Sequence, residues 1–296
     1  MTLTYALITP ARNEALFIEL VIKSMISQTC LPLKWVIVSD GSTDGTDEIV
    51  EKYLPDHPWM ELVRMPERDE RHFAGKVMAF NEGYKKVQAT TYDIIGNLDA
   101  DISFDADYFE FLMSKFAENK KLGVAGTPFV ENGKHYDFRF ASTDHVSGAC
   151  QLFRKECFEE IGGYIPIKGG GIDWTAVTTA RMKGWITKTF TEKTCTHHRQ
   201  IGTGGHGKLM SHFKYGEKNY FLGGHPLWHI ARSVFRMKNK PYLVGGALLM
   251  WGYLWAFLSG KERSVSPELM KFYRAEQMQR LNKILARLTS KNATEN

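Results

Sequence analysis

Several things are scarce in this 296-residue chain, and each scarcity narrows the reading. There are four cysteines, Cys30, Cys150, Cys157 and Cys195, and no two form a C-x-x-C pair. That excludes a zinc-ribbon or thioredoxin-like motif and makes a reduced compartment the expectation. No internal repeat or low-complexity tract occurs, which argues against solenoids and linker-like chains. The opening MTLTYALITPARNE has no basic region followed by a long apolar core, so no signal peptide is expected. Charge of one sign is also lacking: a net +5 is too mild to call for nucleic acid. At 43% hydrophobic and 24% charged, the composition is that of a globular protein large enough for one large α/β domain, or for one domain with an appendage.

Hydrophobic periodicity fills in the first half. Strands are expected at Leu3–Ile8, Trp35–Ser39, Glu61–Met65 and Tyr92–Leu98, with helices at Ala15–Gln28, Asp47–Tyr53 and Gly75–Val87 between them. This alternation predicts a doubly wound, mostly parallel sheet, whose ligands bind at the carboxyl ends of the strands. Three polar clusters fall at those ends: TPARNE, SDGSTDGT and the Asp99-Ala100-Asp101 triplet. Two carboxylates this close repel unless a cation lies between them. Taken alone, the triplet also reads as a polar loop, with Asp105 capping the next helix. Lys76, in the first turn of its helix, is either a solvated lysine or a partner for an anion at the positive end of the helix dipole.

Together, TPARNE, VSDGSTDGT, the G-K-x-x-A-x-N-x-G run at Gly75–Gly83, LDAD and the Gly162-Gly163-Tyr164 segment resemble the family 2 glycosyltransferases, which have the A-type nucleotide-sugar fold. The resemblance covers roughly the first 200 residues, and its combination of motifs is more specific than any member. It implies that Asp40 reads a nucleobase, and that Pro10, Arg12, Glu14 and Ser42 shape the nucleotide pocket. It implies Lys76 near a diphosphate, and Asp99 and Asp101 holding Mn²⁺ or Mg²⁺ on that diphosphate. Carboxylates, phosphates and water suit such ions. GGGIDWTAVTTARMKGW resembles the stretch carrying the catalytic aspartate, making Asp173 the candidate base and Asp144 the second choice. Here Ile172 stands where the family pattern has a glutamate, and an N-cap is the alternative role for Asp173. In CTHHRQIGTGGHGK, His197, and less so His198, is a candidate third metal ligand. Arg199, with glycines 202, 204 and 205, is a candidate phosphate lid. The Q-x-x-R-W signature of processive synthases is absent.

The implied activity is an inverting, metal-dependent transfer from a nucleoside diphosphate sugar, a UDP-sugar by preference, to a hydroxyl of a lipid-linked or cell-envelope glycan. A sugar nucleotidyltransferase would require a glycine-rich loop after the first strand, and TPARNE has no glycine. A non-catalytic nucleotide-sugar-binding protein of the same fold is the other alternative.

A change of character near Phe221 suggests a catalytic domain over residues 1–220 and a helical, membrane-associating appendage over 221–296. Tyr242–Gly260 carries no charge over 19 residues, and Lys238, Lys240, Lys261 and Arg263 flank it. PLWHIARSVFRMK and Pro267–Leu288 read as basic amphipathic helices. The expectation is a cytoplasmic protein, peripheral or monotopic at the inner face of the cell membrane, where a lipid-linked acceptor would reach Asp173.

Overall fold

The computed structural model describes residues 3–67, 73–131, 142–167, 169–199 and 207–294. By internal packing the chain divides into two units, Met1–Gln200 and Ile201–Asn296.

The first unit is built on a seven-stranded sheet. Its strands are β1 (Tyr5–Ala11), β2 (Lys34–Asp40), β3 (Met60–Met65), β4 (Ile94–Leu98), β6 (Leu122–Gly126), β8 (Cys150–Arg154) and β9 (Ile186–Thr189), in the order β3-β2-β1-β4-β8-β6-β9. All pairings are parallel except those of β8, which runs antiparallel to both neighbours. The expected doubly wound, mostly parallel α/β sheet is therefore present. The central strands are buried along nearly their whole length, as a sheet covered on both faces requires.

One face packs Tyr5, Leu7 and Trp35 against α1 (Ile18–Ile26) and α4 (Tyr108–Glu118) through Ile18, Val21, Phe109 and Phe116. The other packs Ile8, Val36 and Phe153 against α3 (Phe73–Val87), α5 (Lys155–Glu160) and α6 (Ile172–Met182) through Val77, Phe80, Phe158 and Val177. Gly83 lets α3 lie directly on the sheet, because a Cβ there would sit 2.6 Å from Ile8. α2 (Thr46–Glu51) follows β2.

Local starts differ from the periodicity in informative ways. The helix expected from Ala15 begins at Ile18, because the Glu14 carbonyl collects the amides of Phe17 and Ile18 in a preceding turn. Asp105 does not cap α4 with its side chain; its backbone carbonyl accepts from the Tyr108 amide, and Asp107 occupies the cap position.

A second, three-stranded sheet joins β5 (Ile102–Ser103), β10 (Cys195–His197) and β7 (Phe129–Val130). β10 runs antiparallel to β5 and sets His197 opposite Ile102, one residue after the second aspartate of the triplet.

The second unit is helical: α7 (Lys208–Phe221), α8 (Pro226–Arg236), α9 (Val244–Leu258) and α10 (Pro267–Thr294). α7, which the sequence pattern grouped with residues 1–220, packs on α9 at backbone contact. A Cβ at Gly252 would fall 2.0 Å from the Phe213 carbonyl oxygen, and one at Gly216 2.1 Å from that of Leu249. No helix among the described residues is long and apolar enough to cross a membrane.

His229 pins α8 into this unit. It is 1% exposed, its Nε2 donates to the Leu249 carbonyl at 3.0 Å, and its Nδ1 accepts from Asn219 at 2.6 Å. Burial pushes its pKa down to about 4 from an ordinary 6.5. The unfolded chain therefore takes up a proton first as pH falls, so the stability of neutral His229 is full above 6.5 and is lost towards 4. Thermal melts should show the midpoint dropping across this window. His229→Gln should flatten that contribution and lower the unfolding free energy at pH 7.5 by about 1–3 kcal/mol for the disturbed buried bonds.

Candidate active site

The polar segments at the carboxyl ends of β1, β2 and β4 meet as the sequence requires. The first two are tied to each other. The Glu14 amide donates to Thr46 Oγ1 at 2.8 Å, Thr43 N–H to Asn13 Oδ1 at 2.8 Å, Ala15 N–H to Asp44 at 3.0 Å, and Asn13 N–H to Ser42 Oγ at 3.1 Å. Asn13 adopts a positive φ of 55°, which lets the chain double back at this tie. Pro10 pairs with Val38 in the sheet. Arg12 is half-buried beside it, and Asp40 closes β2 with only 6% of its surface exposed.

β4 delivers the aspartates. The Asp99 amide donates to the Ala149 carbonyl at 2.8 Å, so antiparallel β8 fixes the backbone at the first carboxylate. Asn97, 2% exposed, donates to Asp99 Oδ1 at 3.1 Å and to the Gly148 carbonyl at 2.7 Å. Lys76 reaches across from α3 and ion-pairs with Asp99 Oδ1. Burial opposes its charge, yet Asp99, Asp173 and Asp101 together hold its pKa above the ordinary lysine value.

Asp101 is 8% exposed. Its pKa is raised, first by burial and then by the charge of Asp99, the signature of two carboxylates competing for cations. His197 Nε2 lies 3.6 Å from Asp101 Oδ1, while its Nδ1 donates to the Arg199 carbonyl at 2.5 Å. That bond leaves Nε2 as the ring atom facing the carboxylates, the orientation that metal-ligating histidines commonly receive from a backbone acceptor. One ligand atom each from Asp99, Asp101 and His197 lies within 4.8 Å of the others. Two carboxylates and an imidazole, each with an orienting partner, fit a divalent cation, and the imidazole favours Mn²⁺ over Mg²⁺.

His198 turns elsewhere: its Nε2 bonds Ser103 Oγ at 2.8 Å and its ring stacks on Phe17. Arg199 ion-pairs with Glu14, sets its Nε 3.4 Å from Asp101, and lies over the Phe17 ring. Glycines 202, 204 and 205 lie outside the described residues.

Asp173 sits in the first turn of α6, but it is not the cap. Gly171, at a φ of 97°, holds the N-cap position, and no side chain caps the helix. Asp173 instead packs on Gly148, where an added Cβ would stand 3.1 Å from its own Cβ. Gly148 thus joins Asp173 to Asn97 and hence to Asp99. Asp144 is exposed, with its carboxylate accepting from Ser142 Oγ and its carbonyl receiving Arg181 and Thr187.

Asn97, Gly148 and Phe17 were not singled out from the sequence. Asn97 carried a readable signal, since asparagine is disfavoured inside an apolar strand such as IIGNL. Phe17 and Gly148 carried none.

The comparisons with known proteins agree with this fold. Poly-β-1,6-N-acetyl-D-glucosamine synthase of Staphylococcus epidermidis is 28% identical over 170 residues, 51% of this chain and 39% of the synthase. Chondroitin synthase of Pasteurella multocida is 29% identical over 118 residues, 40% of this chain and 11% of that one. The chain thus spans well under half the length of these curated relatives.

Among solved structures, a mannosyltransferase from Pyrobaculum calidifontis in complex with GDP-mannose and Mn²⁺ superposes with a TM-score of 0.57 at 18% identity, over 99% of this chain and 80% of that one. Staphylococcus aureus TarS 1–349 with UDP-GlcNAc gives 0.55 at 13% identity, over 91% and 78%. These likenesses establish the shared fold. The sequence model of Glycosyl transferase family 2 matches residues 6–170, which contain both tied loops, Lys76 and the aspartate pair, and the chain belongs to that family.

Proposed function

We propose that this chain is an inverting, divalent-metal-dependent glycosyltransferase. It moves one sugar from a nucleoside diphosphate sugar, a UDP-sugar by preference, to a hydroxyl of a cell-envelope or lipid-linked glycan at the inner face of the membrane. The observation that carries the reading is the gathering of Asp99, Asp101, His197, Lys76 and Asp173 near the carboxyl ends of β1, β2 and β4 in the mostly parallel sheet. The envelope-polymer acceptor is suggested by the relatives, which are named as polysaccharide synthases.

In this mechanism Asp40 and the tied β1 and β2 loops seat the nucleoside. Lys76 and Arg199 are the cations that meet the diphosphate as they exchange Asp99, Glu14 and Asp101 for phosphate oxygens. Asp99, Asp101 and His197 would hold Mn²⁺ or Mg²⁺, which would supply Lewis-acid stabilisation of the departing nucleoside diphosphate. Asp173 accepts the proton of the acceptor hydroxyl as that oxygen attacks the anomeric carbon from the face opposite the diphosphate. One displacement inverts the anomeric configuration.

A thermal-shift panel of UDP-, GDP- and dTDP-sugars with Mn²⁺ or with EDTA tests donor binding. A ligand at 100 times its Kd stabilises the fold by about 2.7 kcal/mol. The expected outcome is a rise of the melting temperature with one nucleotide class, in Mn²⁺ only. No rise with any sugar nucleotide in either condition would count against the reading.

A further inference from the structure

The second unit exposes apolar surface out of proportion to its size. Of the twenty-four large hydrophobic side chains exposed among the described residues, twelve fall between Leu227 and Leu258, on α8, α9 and the turn joining them. On α8, Leu227, Ile230 and Val234 are exposed, while His229 and Ser233 face inward. On α9, Gly245, Leu249, Gly252 and Ala256 are buried, and the other side presents Trp251 and Trp255, each nearly half exposed. Their rings lie 6.3 Å apart, one helical turn from each other. Soluble surfaces rarely expose so many large apolar side chains on two neighbouring helices without a partner.

Charge identifies the partner. Between residues 222 and 263 there are six basic side chains, Arg232, Arg236, Lys238, Lys240, Lys261 and Arg263, against the single acid Glu262. Lys238 and Lys240 are exposed in the turn between the two helices, whereas Lys261 and Arg263, after the end of α9, are held within the unit by Glu217 and by the Tyr220 carbonyl. Apolar faces carrying tryptophan, bordered by lysine and arginine, match a bilayer interface with anionic headgroups.

Length decides how the helices lie. Fifteen residues of α9 make about 22 Å of helix, short of the roughly 30 Å hydrocarbon thickness. We infer that the exposed faces of α8 and α9 form an interfacial docking surface that lies in, and does not cross, an anionic lipid bilayer. This deepens the reading of a membrane-side glycan acceptor and rests on it only for its use. Its test reads lipid binding, so its failure leaves the transfer reaction untouched.

The test is flotation of the full chain with vesicles of phosphatidylcholine alone or with 30% (roughly, a physiological anionic fraction) phosphatidylglycerol. The expected result is flotation with the anionic vesicles, a several-fold loss in 0.5 M salt (about a 4 Å screening length), and a loss of tenfold or more (order of magnitude) in Trp251→Glu/Trp255→Glu. Lys238→Gln/Lys240→Gln should float less with anionic vesicles and unchanged with neutral ones. All four positions are exposed, and circular dichroism together with an unchanged Mn²⁺-dependent donor shift checks that each variant is folded. Absence of flotation by the wild-type chain, or equal flotation of the tryptophan variant, overturns the inference. So does a light-scattering result in which the wild type is a dimer that the tryptophan substitutions dissociate, with no lipid binding by either.

Discussion

Asp173→Asn should lower sugar transfer by about 10²–10⁴-fold while leaving Mn²⁺-dependent donor binding intact. The carboxylate is half-buried, its helix is capped by Gly171, and it makes no side-chain capping bond. Removing its charge therefore leaves the start of α6 in place. Its placement on Gly148, within the electrostatic reach of Lys76, is where the proposed mechanism needs a proton acceptor. A residue acting on the acceptor hydroxyl in the transition state lowers kcat and kcat/KM together. The check is steady-state kinetics beside calorimetry of donor binding. A variant that binds donor poorly yet turns over normally at saturation assigns Asp173 to donor recognition instead.

Asp99→Asn and Asp101→Asn should each weaken cation-dependent donor binding, on the order of 10²-fold for loss of a ligand charge beside the diphosphate. The two differ in what they do to the fold. Asp101 has a raised pKa because burial and Asp99 penalise its charge. Such a carboxyl stabilises the folded chain less at neutral pH than at lower pH. Asp101→Asn removes that penalty, so its metal-free melting temperature should equal or exceed that of the wild type at pH 7.5. Its melting temperature should no longer rise with Mn²⁺ and donor. Asp99 is ion-paired to Lys76 and bonded by Asn97, so Asp99→Asn leaves a lysine ammonium without its partner and should melt lower than the wild type. Differential scanning calorimetry with and without Mn²⁺ separates these outcomes. An unchanged Mn²⁺ response in both variants contradicts the cation site.

The strand-end clusters were legible because chemistry and position coincide there. TPARNE, SDGSTDGT and the aspartate triplet each end a buried apolar strand, and a parallel sheet forces such ends together. The link from Asp99 to Asp173 was not legible, since it passes through Gly148 and depends on β8 entering the sheet antiparallel, which no local pattern announces. His197 and His198 are chemically identical in sequence. The register of β10 against β5 sends one towards the carboxylates and the other to Ser103. Arg199 and Glu14 pair across 185 residues, a separation beyond any motif.

In the C-terminal part, the apolar run of 19 residues was plain, but its helix starts only at Val244. Leu243 takes a positive φ of 57°, and Tyr242 and Leu243 belong to the turn before the helix. The grouping of α7 with α9 was hidden as well, because it depends on Gly216 and Gly252 allowing two backbones to touch.

The measurement closest to the central claim is release of nucleoside diphosphate from the donor selected by thermal shift. It is followed in Mn²⁺ and in EDTA for the wild type and Asp173→Asn, with the anomeric configuration of the product read by NMR. Turnover in Mn²⁺, its loss in EDTA and in the variant, and a product of inverted configuration are the predicted results. Equal turnover in EDTA, or a product of retained configuration, would contradict a cation-assisted single displacement with Asp173 as base.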